Sequence, residues 1–258
     1  MPHLIRSRLP VLLRNALFAA VLCAPAAALA QHSDYAREQR WSDEIVPVLV
    51  VGEAVALRAG KRRFLGLYTE AKNARGAVVI AHGMGVHPDH GLIGGLRSRL
   101  ADSGYTTLSI QMPVLAADAP AERYAALFPE AGSRLTAAFL YLQGKGNRKI
   151  ALVSHSMGSR MVNYWLSTIP NAPLSAWVAV SISSGNFEAF GPVKFPVFDV
   201  YAERDLDVVL RAAASRARLL RRMPGSKQAM VYGADHYFSG KDKELALLIK
   251  ILLDGAAK

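Results

Sequence analysis

The stretch that most constrains this chain is Ser154-His155-Ser156-Met157-Gly158. It follows the run Lys149-Ile150-Ala151-Leu152-Val153 and precedes a helix-like segment from Ser159 to Thr168. A β-branched strand, a sharp turn of small residues with a hydroxyl at its apex, and then a helix form the context in which a G-x-S-x-G pattern marks an exposed nucleophile. The candidate is Ser156. Such a turn holds its central residue in a strained conformation, and the residues two before and two after it must be small because strand and helix backbones approach there. Gly158 meets that requirement, and Ser154 stands where glycine is usual. An ordinary strand-to-helix turn capped by serine is the competing reading, so the partners elsewhere in the chain decide.

Residues 1–30 read as an export signal. Arg6, Arg8 and Arg14 lie in front, an apolar stretch runs from Ala16 to Ala24, and Ala28-Leu29-Ala30 precedes Gln31. The apolar stretch is short for a bilayer and Pro25 interrupts it, which favours cleavage near Ala30 over a membrane anchor. The mature protein is then periplasmic or secreted. The only cysteine, Cys23, lies in this segment, so the mature chain has no thiol for disulfides, catalysis or metal ligation. Loss of the three arginines lowers the formal charge from +11 to +8. That excess favours anionic partners such as an envelope surface, although solubility is the simpler account. No nucleic-acid motif is present. Arg211, Arg216, Arg218, Arg221 and Arg222 are spaced over a predicted helix and read as a solvated face.

Residues 31–44 read as a polar, loosely attached leader and 45–258 as a single domain. Ile45 to Val51, Ala54 to Arg58 and Arg63 to Tyr68 are short strand-like runs broken by Gly52 and Gly60-Lys61, which predicts antiparallel hairpins. From Gly76 onward strands and helices alternate. The predicted strands are Gly76 to Ala81, Tyr105 to Ile110, Arg148 to Val153, Leu174 to Ile182, Phe195 to Tyr201 and Gln228 to Tyr232. The predicted helices are Gly91 to Ser103, Ser133 to Gln143, Val208 to Met223 and Lys241 to Leu253. Continuous apolar strands in such an alternation argue an α/β fold, with a mostly parallel sheet covered on both faces. The long Gln111 to Gly132 connection lies on the ligand side of the sheet and either shapes a pocket or packs as an ordinary loop. The short Ser183 to Lys194 connection leaves little room for a lid domain.

A serine hydroxyl needs an imidazole to take its proton, and the imidazole needs a carboxylate to fix its tautomer. After Ser156 the chain contains one histidine, His236, in a glycine-containing loop behind the last predicted strand. The acid is expected in the loop after the preceding strand, which offers Glu203, Asp205 and Asp207. Asp205 is placed to turn back towards His236. Asp207 reads as a helix cap, Asp199 as a buried acceptor within the strand, and Asp235 as a turn residue. Two backbone donors complete such a site. The Met157 N–H, directly after the nucleophile, is one. The second comes from His82-Gly83-Met84-Gly85, where Met84 is preferred and Gly83 is the alternative.

His82-Gly83-Met84-Gly85, the Ser154 to Gly158 turn, Tyr201-Ala202-Glu203-Arg204-Asp205 and Gly233-Ala234-Asp235-His236 resemble, in order, the landmarks of the α/β-hydrolase superfamily. His87-Pro88-Asp89, with the helix after it and Gly104-Tyr105-Thr106-Thr107-Leu108, is similar to an exported bacterial branch known mainly as a domain of unknown function. The departures are Ser154 and Ala202, where glycine is frequent. The resemblance implies an α/β-hydrolase fold with antiparallel N-terminal strands and no large lid. It also implies hydrolysis of a small-molecule or lipid-like ester, or a thioester or amide, through an acyl-Ser156 intermediate without a cofactor. The competing class is an inactive binding or scaffold protein of the envelope. His82, His87, Asp89, His90 and His155 raise a metal site as a further possibility, but no H-E-x-x-H spacing supports it.

Overall fold

Alternation of side chains at every second strand position explains how uninterrupted apolar strands serve two cores at once. In β3 (Gly76–Ala81), Val79 faces one core while Val78 and Ile80 face the other. In β5 (Ile150–His155), Ile150 and Leu152 go one way and Ala151 and Val153 the other. The same division in β6 (Ala176–Val180) sends Trp177 and Ala179 to the first core and Ala176, Val178 and Val180 to the second. Helices α3 (Phe128–Gly144) and α4 (Met157–Thr168) cover the first face, and α2 (Gly91–Asp102) and α6 (Asp242–Ala256) cover the second.

The computed structural model describes residues 32–169, 171–187 and 193–256. The predicted signal segment lies outside them. The remaining strands are β1 (Glu53–Ala59), β2 (Arg62–Thr69), β4 (Tyr105–Ile110), β7 (Val197–Arg204) and β8 (Lys227–Asp235), and the sheet order is β1-β2-β4-β3-β5-β6-β7-β8. The pairs β1–β2 and β2–β4 are antiparallel, and every other pair is parallel. The expected N-terminal hairpin is present, turning at Gly60-Lys61 between the paired Ala59 and Arg62. Because β3, β5, β6, β7 and β8 run the same way, the loops after them emerge at one edge of the sheet, where ligands bind in such folds. The connection from β6 to β7, residues 181–196, carries no inserted domain. Among the described residues no helix is long and apolar enough to cross a membrane.

Several local expectations change. Ile45 to Val51 is not a strand: α1 (Tyr35–Ile45) runs into a 3-10 turn at Val46–Val48, where Pro47 fits the helix start. The segment read as a loose leader is α1 itself, with Asp34 accepting a hydrogen bond from the Arg37 N–H at 3.0 Å as its N-cap. Its polar side chains dock it. Glu38 is buried against Arg134 Nη1 at 3.0 Å, and the Asp34 N–H donates to the Val114 carbonyl at 2.7 Å. Arg37 donates to the carbonyls of Leu115 and Gly85 at 2.7 and 3.0 Å. These partners are 48 to 96 positions away, so polarity that reads as solvation locally is pairing in the fold.

Arg216, expected on the solvated face of α5 (Asp207–Leu220), is instead fully buried and paired with Asp199 at 2.7 Å. Asp207 does not cap α5. It lies in the first turn and reaches Arg211 at 3.3 Å, while Leu206 is the N-cap without a side-chain bond. The 111–132 connection is partly helical, with a 3-10 stretch at Ala121–Leu127 leading into α3 five residues earlier than expected, at Phe128 rather than Ser133.

Candidate active site

Ser156 occupies the turn between β5 and α4 with φ 54° and ψ −118°, a conformation that costs a non-glycine residue about 1–3 kcal/mol. Its own N–H donates to the Val180 carbonyl at 2.9 Å, and its carbonyl accepts from the Ser159 N–H at 3.0 Å. A Cβ at position 158 would lie 2.3 Å from the His82 carbonyl oxygen, so only glycine lets the helix start this close to the loop after β3. Ser154 does more than fit. Its buried hydroxyl lies 3.0 Å from Ser159 Oγ and accepts from the Trp177 indole N–H at 2.8 Å, tying β5 to α4 and β6. Ser154→Gly removes both bonds and is expected to lower stability by about 1–2 kcal/mol, read from chemical denaturation.

The three side chains expected to converge do so. His236 Nε2 lies 3.0 Å from Ser156 Oγ, and His236 Nδ1 lies 2.6 Å from Asp205 Oδ1. Asp205 follows β7 beyond a register shift at Ala202/Arg204. Burial works against its charge, yet hydrogen bonds from His236, from Ser181 Oγ and from the N–H groups of Ala202 and Leu206 outweigh that cost and hold its carboxyl below the usual range. The carboxylate is therefore an acceptor on both oxygens, and His236 is held with its proton on Nδ1 and Nε2 free to accept from Ser156. The rejected acids have other partners: Glu203 accepts from the Gly233 N–H at 2.9 Å and Asp199 from Arg216 and Gln228. Asp235 closes the turn around His236, accepting from the N–H groups of Tyr237 and Ser239 at 3.0 Å each.

Two buried histidines position the loops. His155 Nε2 lies 2.9 Å from the His236 carbonyl, so the residue before Ser156 donates a proton that anchors the loop carrying His236. Burial first, and then the neighbouring His236, push His155 down to about 4. His82 Nε2 accepts from the Met112 N–H at 2.9 Å, which leaves its proton on Nδ1 to donate to the Gly83 carbonyl at 2.8 Å. Burial pushes His82 down to about 3. With that carbonyl turned to His82, trans peptide geometry directs the Met84 N–H the opposite way. A Cβ on Gly83 would meet His155 Nδ1 and Ser156 Cβ at 3.3 Å each, which places this loop directly against the turn at Ser156.

Gly83, Met84, Met157, Ser156 and His236 line one cavity of about 650 Å³. Ala121 and Glu122 also line it, so the 111–132 connection does shape the pocket. His82, His155, Ser181, Arg37 and Arg160 had no part in the expected catalytic set. His82, His155 and Arg37 are held by partners distant in sequence and Ser181 lies at a bend after a strand, and residue spacing carries no signal of either. Of the residues raised for a metal site, Asp89 pairs with Arg97 at 2.7 Å and the rings of His87 and His90 stack edge to face. Among the described residues no group of three suited side chains is placed to hold an ion.

The model of a family of proteins of unknown function, DUF3530, matches residues 16–133. A comparison with curated protein sequences finds no match. Solved structures do match. A dienelactone hydrolase from Anabaena variabilis is 20% identical with a TM-score of 0.64, over 77% of this chain and 94% of its own. Est1E from Butyrivibrio proteoclasticus is 15% identical with a TM-score of 0.63, over 80% and 99%. An α/β serine hydrolase without a lid from Xanthomonas campestris is 11% identical with a TM-score of 0.62, over 80% and 94%. With its mostly parallel eight-stranded sheet, antiparallel start and helices on both faces, the chain has the α/β-hydrolase fold.

Proposed function

We propose that the protein is an exported serine hydrolase that cleaves a carboxylic ester through an acyl-Ser156 intermediate. The observation that carries this reading is the unbroken relay from Ser156 Oγ through His236 to Asp205, at 3.0 and 2.6 Å. Ser156 Oγ attacks the carbonyl carbon as its proton passes to His236 Nε2. The tetrahedral oxyanion is met by the N–H groups of Met157 and Met84, with the orientation imposed on the Gly83 carbonyl favouring Met84 over Gly83. Collapse expels the alcohol, which takes the proton from His236. Water then repeats the sequence on the acyl-enzyme, and Asp205 keeps its charge throughout.

The test is turnover of p-nitrophenyl esters of increasing chain length, with titration by a fluorophosphonate and mapping of the adduct. The expected result is loss of all turnover at one equivalent, with the phosphonyl group on Ser156. Absence of turnover and of labelling would favour a binding protein that retains the fold, and an adduct on another serine would overturn the assignment. Export is tested by following the mature N-terminus, which is expected at Gln31.

A further inference from the structure

Arg160 lines the cavity that contains Ser156 and His236 and lies one helical turn beyond the nucleophile, on α4. Ser156 is the N-cap of α4 and Arg160 lies in the first turn of that helix, so the wall that holds the hydroxyl also holds the guanidinium. Its guanidinium carbon lies 5.5 Å from the centre of the Phe128 ring, which supports one face of the group. Its Nε is buried and has no hydrogen-bond partner. Among the described residues no carboxylate lies within ion-pair distance of it, whereas the strongly buried arginines Arg97, Arg134 and Arg216 are each paired with one.

The lining offers it little competition. Asp242 is engaged by Arg99 at 2.7 Å, and Glu122, the other acid of the lining, lies on the exposed rim. The lining also carries the apolar side chains of Val86, Leu92, Ile93 and Phe238. A cation partly withdrawn from water, braced on an aromatic ring and lacking a counter-charge is costly unless an anion completes it. A guanidinium presents the planar fork that receives a carboxylate through two parallel hydrogen bonds.

From this placement we infer that the substrate is an ester that also carries a carboxylate, and that Arg160 binds this carboxylate while Ser156 attacks the ester carbonyl. The inference rests on the hydrolase reading above and narrows it to a substrate class. The formal charge of +8 on the mature chain acts in the same direction, drawing anionic molecules to the protein.

Two matched ester pairs test it. One pair places the charge in the acyl group: mono-p-nitrophenyl adipate against p-nitrophenyl hexanoate, which have acyl chains of equal length. The other places it in the leaving group: 4-acetoxybenzoate against its methyl ester. The quantity read is the ratio of kcat/KM for the charged ester to that for the neutral one, which does not depend on how much of a variant is folded. The wild type is expected to favour the charged member of at least one pair by about thirtyfold, the range of a charge-assisted bidentate contact. Arg160→Met is expected to bring that ratio to about one, and Arg160→Lys to leave it between the two, through KM. A wild-type ratio near one in both pairs, or a preference that survives in Arg160→Met, overturns the inference and leaves the hydrolase reading in place. If the wild type cleaves the neutral esters no faster than Ser156→Ala does, the hydrolase reading itself fails and this one falls with it.

Discussion

Ser156→Ala is expected to lower kcat/KM for a p-nitrophenyl ester by about 10⁴-fold or more, because it removes the atom that forms the acyl bond. Asp205→Asn is expected to cost about 10³-fold while retaining the fold. Asp205 accepts hydrogen bonds on both oxygens, from His236 and the Leu206 N–H on one side and from Ser181 and the Ala202 N–H on the other. An asparagine has only one accepting oxygen. With its NH₂ towards His236 it forces the proton onto Nε2, where it blocks acceptance from Ser156. With its oxygen towards His236 the tautomer survives, but the charge that stabilises the imidazolium is lost. Because the three side chains act as one relay, the double variant should be no slower than Ser156→Ala alone. Multiplication of the two losses would show that Asp205 and Ser156 work independently, and the relay would not be the catalytic unit.

Acidification is expected to destabilise the protein well before its carboxylates titrate. His82 and His155 lie near 3 and 4 in the fold, chiefly through burial, against 6.5 in an unfolded chain. Below pH 6.5 the unfolded chain takes up protons on both while the folded protein does not, so stability falls as pH falls. The loss stops only when the folded groups titrate, near pH 4 for His155 and pH 3 for His82. Each contributes about 1.4 kcal/mol per pH unit, so two units of acidification, to pH 4.5, cost about 5 kcal/mol. That is comparable to the whole stability of many domains. Asp205 acts later: its depressed carboxyl stabilises the fold above the ordinary carboxylate range and withdraws that support as pH falls through its own lower value. Urea unfolding between pH 7.5 and 4.5 measures the slope, and His155→Gln, which retains a donor for the His236 carbonyl, should roughly halve it. A stability that is flat across this range would mean that the two imidazoles are not held neutral.

The fold was legible because its signals are local and periodic. Continuous apolar strands such as Val78-Val79-Ile80 and Ala176 to Val180 announce a sheet with two covered faces, and the tight turn at Ser156 needs a glycine at 158 that the sequence supplies. The convergence of the candidate trio was legible for a related reason. Ser156, Asp205 and His236 each sit just beyond a strand end, and parallel strands bring those ends together. What remained hidden was polar. Glu38, Arg134, Arg37 and Arg216 look like surface residues in any local window, and only the folded chain shows that each is matched by a charge or carbonyl far along the sequence. Pairing of that kind has no period, so hydropathy patterns pass over it. The early start of α3 was concealed by Pro129, which suits the first turn of a helix as well as it suits a loop.

The stretch just downstream of Ala30 has little slack. Ser33 and Asp34 open the helix whose Arg37 grips the Gly85 carbonyl, and the Ser33 hydroxyl accepts from the Val114 N–H at 2.7 Å and donates to Glu38. Under the proposed export, a cut only four residues late would strip away both the cap and that hydroxyl, loosening the brace on the glycine loop beside Ser156. If the chain is cut near Ala30 as proposed, the accuracy of that cut becomes a condition for the geometry around Ser156, and the two places are constrained together although more than a hundred positions separate them.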